Sequence, residues 1–291
     1  MGTTTLGVAA PARRSPGLLR RMRRYPLPTL GAVLLILLVA TALAAPWITT
    51  HDPFEMNIVD RLQPPSAEYW FGTDAFGRDL FSRTLHGGRV SLAIGIAVAV
   101  ASTLVGLVIG VVAGYFRLAD AILMRVMDGL MAIPGILLAI ALMSLTRASI
   151  AVVIVAITIP EIPRVVRLVR AVVLTVREQV YIEAATAIGT RFPRLMLKHI
   201  LPNTLAPLIV QATYIAASAV LVESYLSFLG VGTPPEVPSW GNIIAEGRLF
   251  VQIAFWNILF PSVFLALMVL SINILGDGLR DMLDPRLARR L

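Results

Sequence analysis

Long stretches of this chain carry no formal charge, and short basic or mixed-charge stretches separate them. Tyr25–Thr50 runs for 26 residues without a charge. A bilayer crossing needs about 20 predominantly apolar residues, so a first span is expected at about Leu30–Ile48. The polar segment His51–Arg89 follows. Val90–Phe116 is then charge-free for 27 residues and predicts a second span. It carries Gly95, and then Gly106 and Gly110 at small-xxx-small spacing, continued by Gly114. That spacing lets another helix approach closely. Gly129–Thr146 predicts a third span, kinked near Pro134-Gly135. The fourth begins near Ser149, but only 13 residues, Ala148–Pro160, separate Arg147 from Glu161. That is short for a crossing, so the helix is expected to run past Pro160 and Pro163 into the amphipathic stretch Arg164–Arg177. Arg164, Arg167 and Arg170 share one face there and are expected to snorkel to the interface. A fifth span lies within Leu205–Leu229 and a sixth within Phe250–Gly276.

The pattern predicts an all-α polytopic membrane protein with six transmembrane helices. It divides into a basic N-terminal tail (1–28), a first helix with an outer loop (29–90), a five-helix core (91–280) and a C-terminal tail (281–291). The first span has a rival reading as a cleaved signal peptide, because Ala42-Leu43-Ala44 resembles a cleavage site. Its long apolar core and the spans that follow favour a retained helix.

Composition agrees with this class. The chain is 57% hydrophobic and 14% charged, against about 25% charged in soluble domains. The net charge of +8 raises the question of nucleic acid, and the distribution answers it. With the N-terminus inside, 19 of the 25 Lys and Arg residues fall on the inner side and 6 on the outer. The positive-inside rule accounts for such a bias, so no nucleic-acid partner is needed. A multi-pass membrane protein with both termini cytoplasmic is expected.

Candidate enzyme chemistry is sparse. There is no cysteine, hence no disulfide framework or thiolate ligand. His51, His86 and His199 have no metal-ligand spacing, so no metal site is expected. No G-x-x-x-x-G-K-[ST] loop and no G-x-S-x-G elbow occurs. No catalytic residue and no cofactor of the chain's own is expected. An energy-using protein of this kind must borrow its ATPase.

The informative segment is the polar, basic island 181–203 between the fourth and fifth spans. Glu183–Ala187 suits a helix end, since Ala is the best helix former. Gly189 permits a left-handed cap or a close backbone approach. Pro193 suits the first turn of a second short helix, and Pro202 restricts the chain before the next apolar run. The expected form is helix, bend, short helix. An ordinary loop helix would use the same common residues. The pattern E-A-A, three residues, Gly189, nine residues, then His199-Ile-Leu-Pro is, however, similar to the EAA loop of ABC importer permeases. His199 stands where that pattern often has an aliphatic residue.

Further strings resemble the C-type permease of dipeptide, oligopeptide and nickel importers. They are Asp60-Arg-Leu-Gln-Pro-Pro-Ser-Ala, Phe71-Gly-Thr-Asp-Ala-Phe-Gly-Arg-Asp-Leu-Phe-Ser-Arg83, Glu223-Ser-Tyr-Leu-Ser-Phe-Leu-Gly-Val-Gly232, Pro238-Ser-Trp-Gly241 and Gly276-Asp-Gly-Leu-Arg-Asp-Met-Leu-Asp-Pro-Arg286. The resemblance spans nearly all of the chain after about Arg20. It implies the type I importer fold, with a cytoplasmic coupling helix. It implies a homologous B-type permease as partner in a heterodimer, two ATP-binding subunits or a fused one, and an extracytoplasmic substrate-binding protein. ATP and Mg would sit on the partner subunits, and a peptide would be the substrate; nickel chelates or another small solute are the alternative. It also implies that Glu183, Ala184, Ala185, Gly189, Arg191, Phe192, Pro193, Arg194 and Leu195 meet the ATPase. A secondary transporter should instead show inverted repeats and buried coupling ions. A scaffold without transport is the third reading.

Three other features carry expectations. Asp74, Arg78, Asp79 and Arg83 are expected to form exposed, shape-setting pairs worth about 0–1 kcal/mol each. Trp70, Trp240 and Trp256 are expected at the outer interface, where Trp240 could receive a binding protein. Glu223 is an ionisable residue inside an apolar span. It is expected either to line the translocation path or to make a structural hydrogen bond.

Overall fold

The computed structural model describes residues 26–283, which are helical with irregular connections and no β-strand. The extreme N-terminal tail and the residues after Leu283 lie outside the described residues. So do the last residues of the Gly276–Arg286 string. In chain order the helices are α1 (Pro26–Ile48), α2 (Leu80–Tyr115), α3 (Arg117–Ala132), α4 (Gly135–Ser144), α5 (Ile150–Arg177), α6 (Val180–Ala187), α7 (Phe192–Leu195), α8 (Leu201–Phe228), α9 (Trp240–Gly247) and α10 (Trp256–Leu283).

The second crossing starts ten residues earlier than the charge pattern suggests. Asp79 explains this: its carboxylate accepts from the backbone N–H groups of Phe81 and Ser82 and caps the helix. The helix then carries Arg83 and His86 within its first turns. The glycine stripe behaves as expected. A Cβ on Gly106, Gly110 or Gly114 would stand 2.5, 2.7 and 2.7 Å from the Cβ atoms of Val165, Val169 and Val173. Only hydrogen at these three positions lets α5 pack this closely on α2. Residue numbers rise together along the stripe, so α2 and α5 run parallel.

That direction settles the segment between them. Two parallel crossings require the connecting chain to return through the membrane. The bent pair α3 and α4, which meet at 87° around Ile133–Pro134, is therefore a broken crossing rather than a re-entrant loop. The expected kink is a right-angle break. α1, α2, the continuous rod Phe192–Phe228 and α10 are each long and apolar enough to span a bilayer, and the bent pair makes a fifth. α5 is too charged to qualify by composition, but its packing along α2 makes it the sixth. It passes Pro160 and Pro163 unbroken for 28 residues, about 42 Å at 1.5 Å per residue.

One end of the bundle gathers the chain turns. Arg177 Nη1 donates to the carbonyls of Gly114 and Tyr115 at 3.0 and 2.8 Å. The Phe192 ring lies 4.6 Å from Tyr115. Pro28 packs where a Cβ on Gly278 would fall, 2.3 Å away. The two described ends, Pro26 and Leu283, thus share a face with the segment 178–200.

Candidate functional site

The segment 178–200 forms the expected helix, bend and short helix. Ile182 and Ala185 anchor α6 in the core. Gly189 ends it with φ +78°. Its N–H donates to Thr186 O at 2.9 Å, and that of Thr190 donates to Ala185 O at 3.0 Å. This pair of bonds is the Schellman C-cap, which needs a left-handed residue. A Cβ on Gly189 would meet nothing within 4 Å. The constraint on this glycine within the chain is therefore its backbone angle, and the space beyond it is open.

The polypeptide departs from expectation after the bend. Pro193 lies in the first turn of α7, as its fixed φ favours. Pro202 does not restart the chain. A single π-helical turn, Met196–Ile200, joins α7 to α8 without a break. Such turns absorb an extra residue within a helix. The short helix is thus the first turn of the fifth crossing, and a push on α7 acts on that whole rod.

Ala184, Ala185, Gly189, Arg191, Pro193 and Arg194 line one open groove of about 950 Å³ between α6 and α7. Tyr181, Ile188, Lys198 and His199 extend it. His199 keeps the helical turn intact, with its ring 6.1 Å from Tyr181. Arg191, Arg194 and Lys198 make the lining basic, and Ile188, 84% exposed, adds an apolar side chain. Glu183 and Leu195 lie apart, beside a second crevice with Tyr115, Arg177 and Thr186. Glu183 is exposed, and its side chain makes no hydrogen bond or ion pair among the described residues. Phe192 faces inward and packs on Tyr115 and Phe116.

The opposite end of the bundle corrects three expectations. Asp74, Arg78, Asp79 and Arg83 are buried, not exposed. Arg78 bonds Asp74 and Glu246 at 2.6 Å each. Arg83 reaches Glu246 at 3.1 Å and Asp74 at 3.4 Å. Glu246, 163 residues from Arg83, was not marked by any local pattern. Burial pushes its carboxyl above the usual range, while the Arg83 and Arg78 guanidiniums pull it back. Trp240 and Trp256 are likewise buried, while Trp70 is exposed, as an interfacial indole would be. The Trp240 indole N–H donates to Thr84 O at 2.9 Å, so this ring fastens α9 to α2 and is closed to a docking protein.

Glu223 is fully buried. Its Oε1 accepts from Ser227 and Ser239 at 2.8 Å and from Thr233 at 3.3 Å. Ser239 is also the N-cap of α9. Of the two readings, the structural hydrogen bond is present at Oε1, while Oε2 has no partner among the described residues. The arginine face of α5 departs as well. Arg164, Arg167 and Arg170 pair with Glu161, Asp128 and Asp120 instead of snorkelling.

Comparison with known proteins gives concordant results. The family of binding-protein-dependent transport system inner membrane components matches residues 102–289. The N-terminal TM domain of oligopeptide transport permease C matches residues 17–65. A protein of Sinorhizobium fredii named "Probable peptide ABC transporter permease" is 54% identical over 99% of each chain. The dipeptide transport system permease DppC of Alkalihalophilus pseudofirmus is 41% identical over 92% of this chain and 88% of its own. An inward-facing structure of the MetNI methionine ABC transporter superposes with a TM-score of 0.59 at 22% identity, over 70% of this chain and 98% of that one. That likeness is one of fold.

Proposed function

This chain belongs to the family of binding-protein-dependent transport inner membrane components, and on that premise we propose that it is the C-type permease of an ATP-driven peptide importer. The permease role within an ABC transporter follows from the family and from relatives matched along their whole length. The peptide substrate is supported by the names of those relatives. The single observation that carries the mechanism is the open groove at Gly189, basic and apolar, at the start of a continuous rod through the membrane.

The mechanism is alternating access. ATP and Mg sit on partner ATPase subunits, two or a fused pair, whose cleft receives α6 and α7. ATP binding closes those subunits, and α7 moves with its cleft. Because α7 and α8 are one helix, the fifth crossing moves as a lever with it. Peptide delivered by an extracytoplasmic binding protein passes between this chain and a homologous B-type permease. The groove then faces the cytoplasm, as do both termini, in agreement with the Lys and Arg bias. The chain itself performs no chemistry. Co-purification with an ATPase, whose turnover rises when a peptide-loaded binding protein is added, tests this reading. A chain that recovers no ATPase, or whose ATPase ignores the loaded binding protein, is not this permease.

A further inference from the structure

Glu161, Arg164 and Arg167 cluster around the midpoint of α5, whose ends are Ile150 and Arg177. Their level is fixed by their neighbours. Val165, next to Arg164, packs on Gly106 inside the charge-free part of α2. Pro160, one residue before Glu161, lies 3.2 Å from a Cβ built on Gly135, at the break of the third crossing. The cluster is therefore deep in the membrane, far from either interface. It is also open: the side chains of Arg164, Arg167 and Asp128 are 58%, 46% and 60% exposed in the single chain.

Lipid cannot cover this face. Charged side chains at bilayer depth are costly and face a water-filled cavity or the bundle interior. The backbone makes the same demand independently. Ile133 and Pro134 leave helical geometry at this level, and irregular backbone in the membrane is tolerated only where it is covered by protein or lines a wet cavity.

We propose that this face of α3 and α5 lines the translocation path, and that Arg164 and Arg167 hold the C-terminal carboxylate and carbonyl oxygens of a passing peptide. The peptide rests on the importer reading above. Each guanidinium has five N–H donors. Arg164 spends Nη1 on the two oxygens of Glu161, at 3.2 Å each. Arg167 spends Nη2 on Asp128, at 2.6 Å. The remaining donors make no hydrogen bond among the described residues. The acids offset the arginines one for one, with Arg170 on Asp120 completing the row. The wall is thus polar with little net charge, so it attracts a peptide end weakly enough to release it.

The chain has no native cysteine, which permits a direct test in the assembled importer. Arg164→Cys and Arg167→Cys are compared with Leu37→Cys, at the middle of α1 and 56% exposed. Charged thiol reagents should modify the α5 positions at least about tenfold faster, since they travel in water and not in hydrocarbon. Arg164→Gln should lower uptake of a free-carboxylate peptide about tenfold, and uptake of its C-terminal amide less than about twofold, because charge-assisted bonds are the strong ones. Equal, slow labelling at all three positions, or equal losses for both peptides, overturns the proposal. If one arginine variant fails to assemble, the other carries the labelling test. Recovery of ATPase with the unaltered chain tests the importer reading separately.

Discussion

The cap around α9 and the loop 178–200, at opposite ends of the bundle and outer and inner under the proposed function, are built in opposite ways. At the outer end, α9 is tied down along its whole length. Its N-cap Ser239 bonds Glu223, its Trp240 bonds α2, and its Glu246 bonds both Arg78 and Arg83. All of those groups except Glu246 are buried. At the inner end, α6 and α7 have Gly189 facing open space, Ile188 almost fully exposed, and Glu183 without a partner. Polar groups paired with one another within the chain specify one geometry. Polar and apolar groups left unsatisfied describe a surface that another molecule completes. The cap is held within the chain; under the proposed function the loop is half of an interface.

The largest expected difference between the two ends is all-or-none. Ser66→Cys and Glu236→Cys, both exposed at the outer end, should react with an impermeant thiol reagent in intact cells. Thr190→Cys should stay silent until the membrane is opened. Labelling of Thr190→Cys with silent outer positions would invert the orientation.

Stability separates the ends next. Arg83→Ala leaves the buried Asp74 and the half-buried Glu246 with one fewer partner, and breaking a buried pair costs about 3–5 kcal/mol. Thermal unfolding of the purified protein should show this loss. Ile188→Ala, at the exposed loop, should change stability by less than about 0.5 kcal/mol. Equal losses would mean that the cap is not the rigid end.

A smaller effect sharpens the role of Glu223. Glu223→Ala strands three hydroxyl donors, and an unsatisfied buried group costs about 1–3 kcal/mol. Glu223→Gln retains an acceptor oxygen and should lose less, with uptake close to that of the unaltered chain. A transport defect in Glu223→Gln at normal complex yield would return this residue to the path.

How much of this was legible follows the same division. The crossings were readable because a charge-free run is a local property. The Gly106, Gly110 and Gly114 stripe was readable for the same reason, since its spacing names the packing. The bend at Gly189 was readable from glycine's access to positive φ. The start of α2 was missed because Arg83, His86 and Arg89 masked the run; Asp79 before an apolar residue was the available cap signal. The burial of Asp74 and Arg83 was not legible, because their partner Glu246 lies far along the chain. A string of mixed charge looks solvated until its partners are known. The run of α5 past Pro160 and Pro163 was expected, with its arginines at the interface; the packing of Val165 on Gly106 sets Arg164 beside the charge-free part of α2 instead.

The central claim is that force enters through the inner loop. Its direct test is transport per ATP hydrolysed in reconstituted vesicles, with ATPase recovery measured on the same preparations, for Gly189→Val and Glu183→Ala. A β-branched residue at positive φ costs about 1–2 kcal/mol. If that distorts the docking surface, association should fall about five- to thirtyfold. Glu183→Ala removes a carboxylate that has no partner among the described residues, so it should act on ATPase association or coupling and leave the fold intact. Glu236→Ala at the outer end should change neither quantity. The account predicts normal insertion and pairing with the B-type permease, together with lost ATPase recovery or lost transport per ATP, in both loop variants. Normal recovery and normal transport per ATP in both would contradict it.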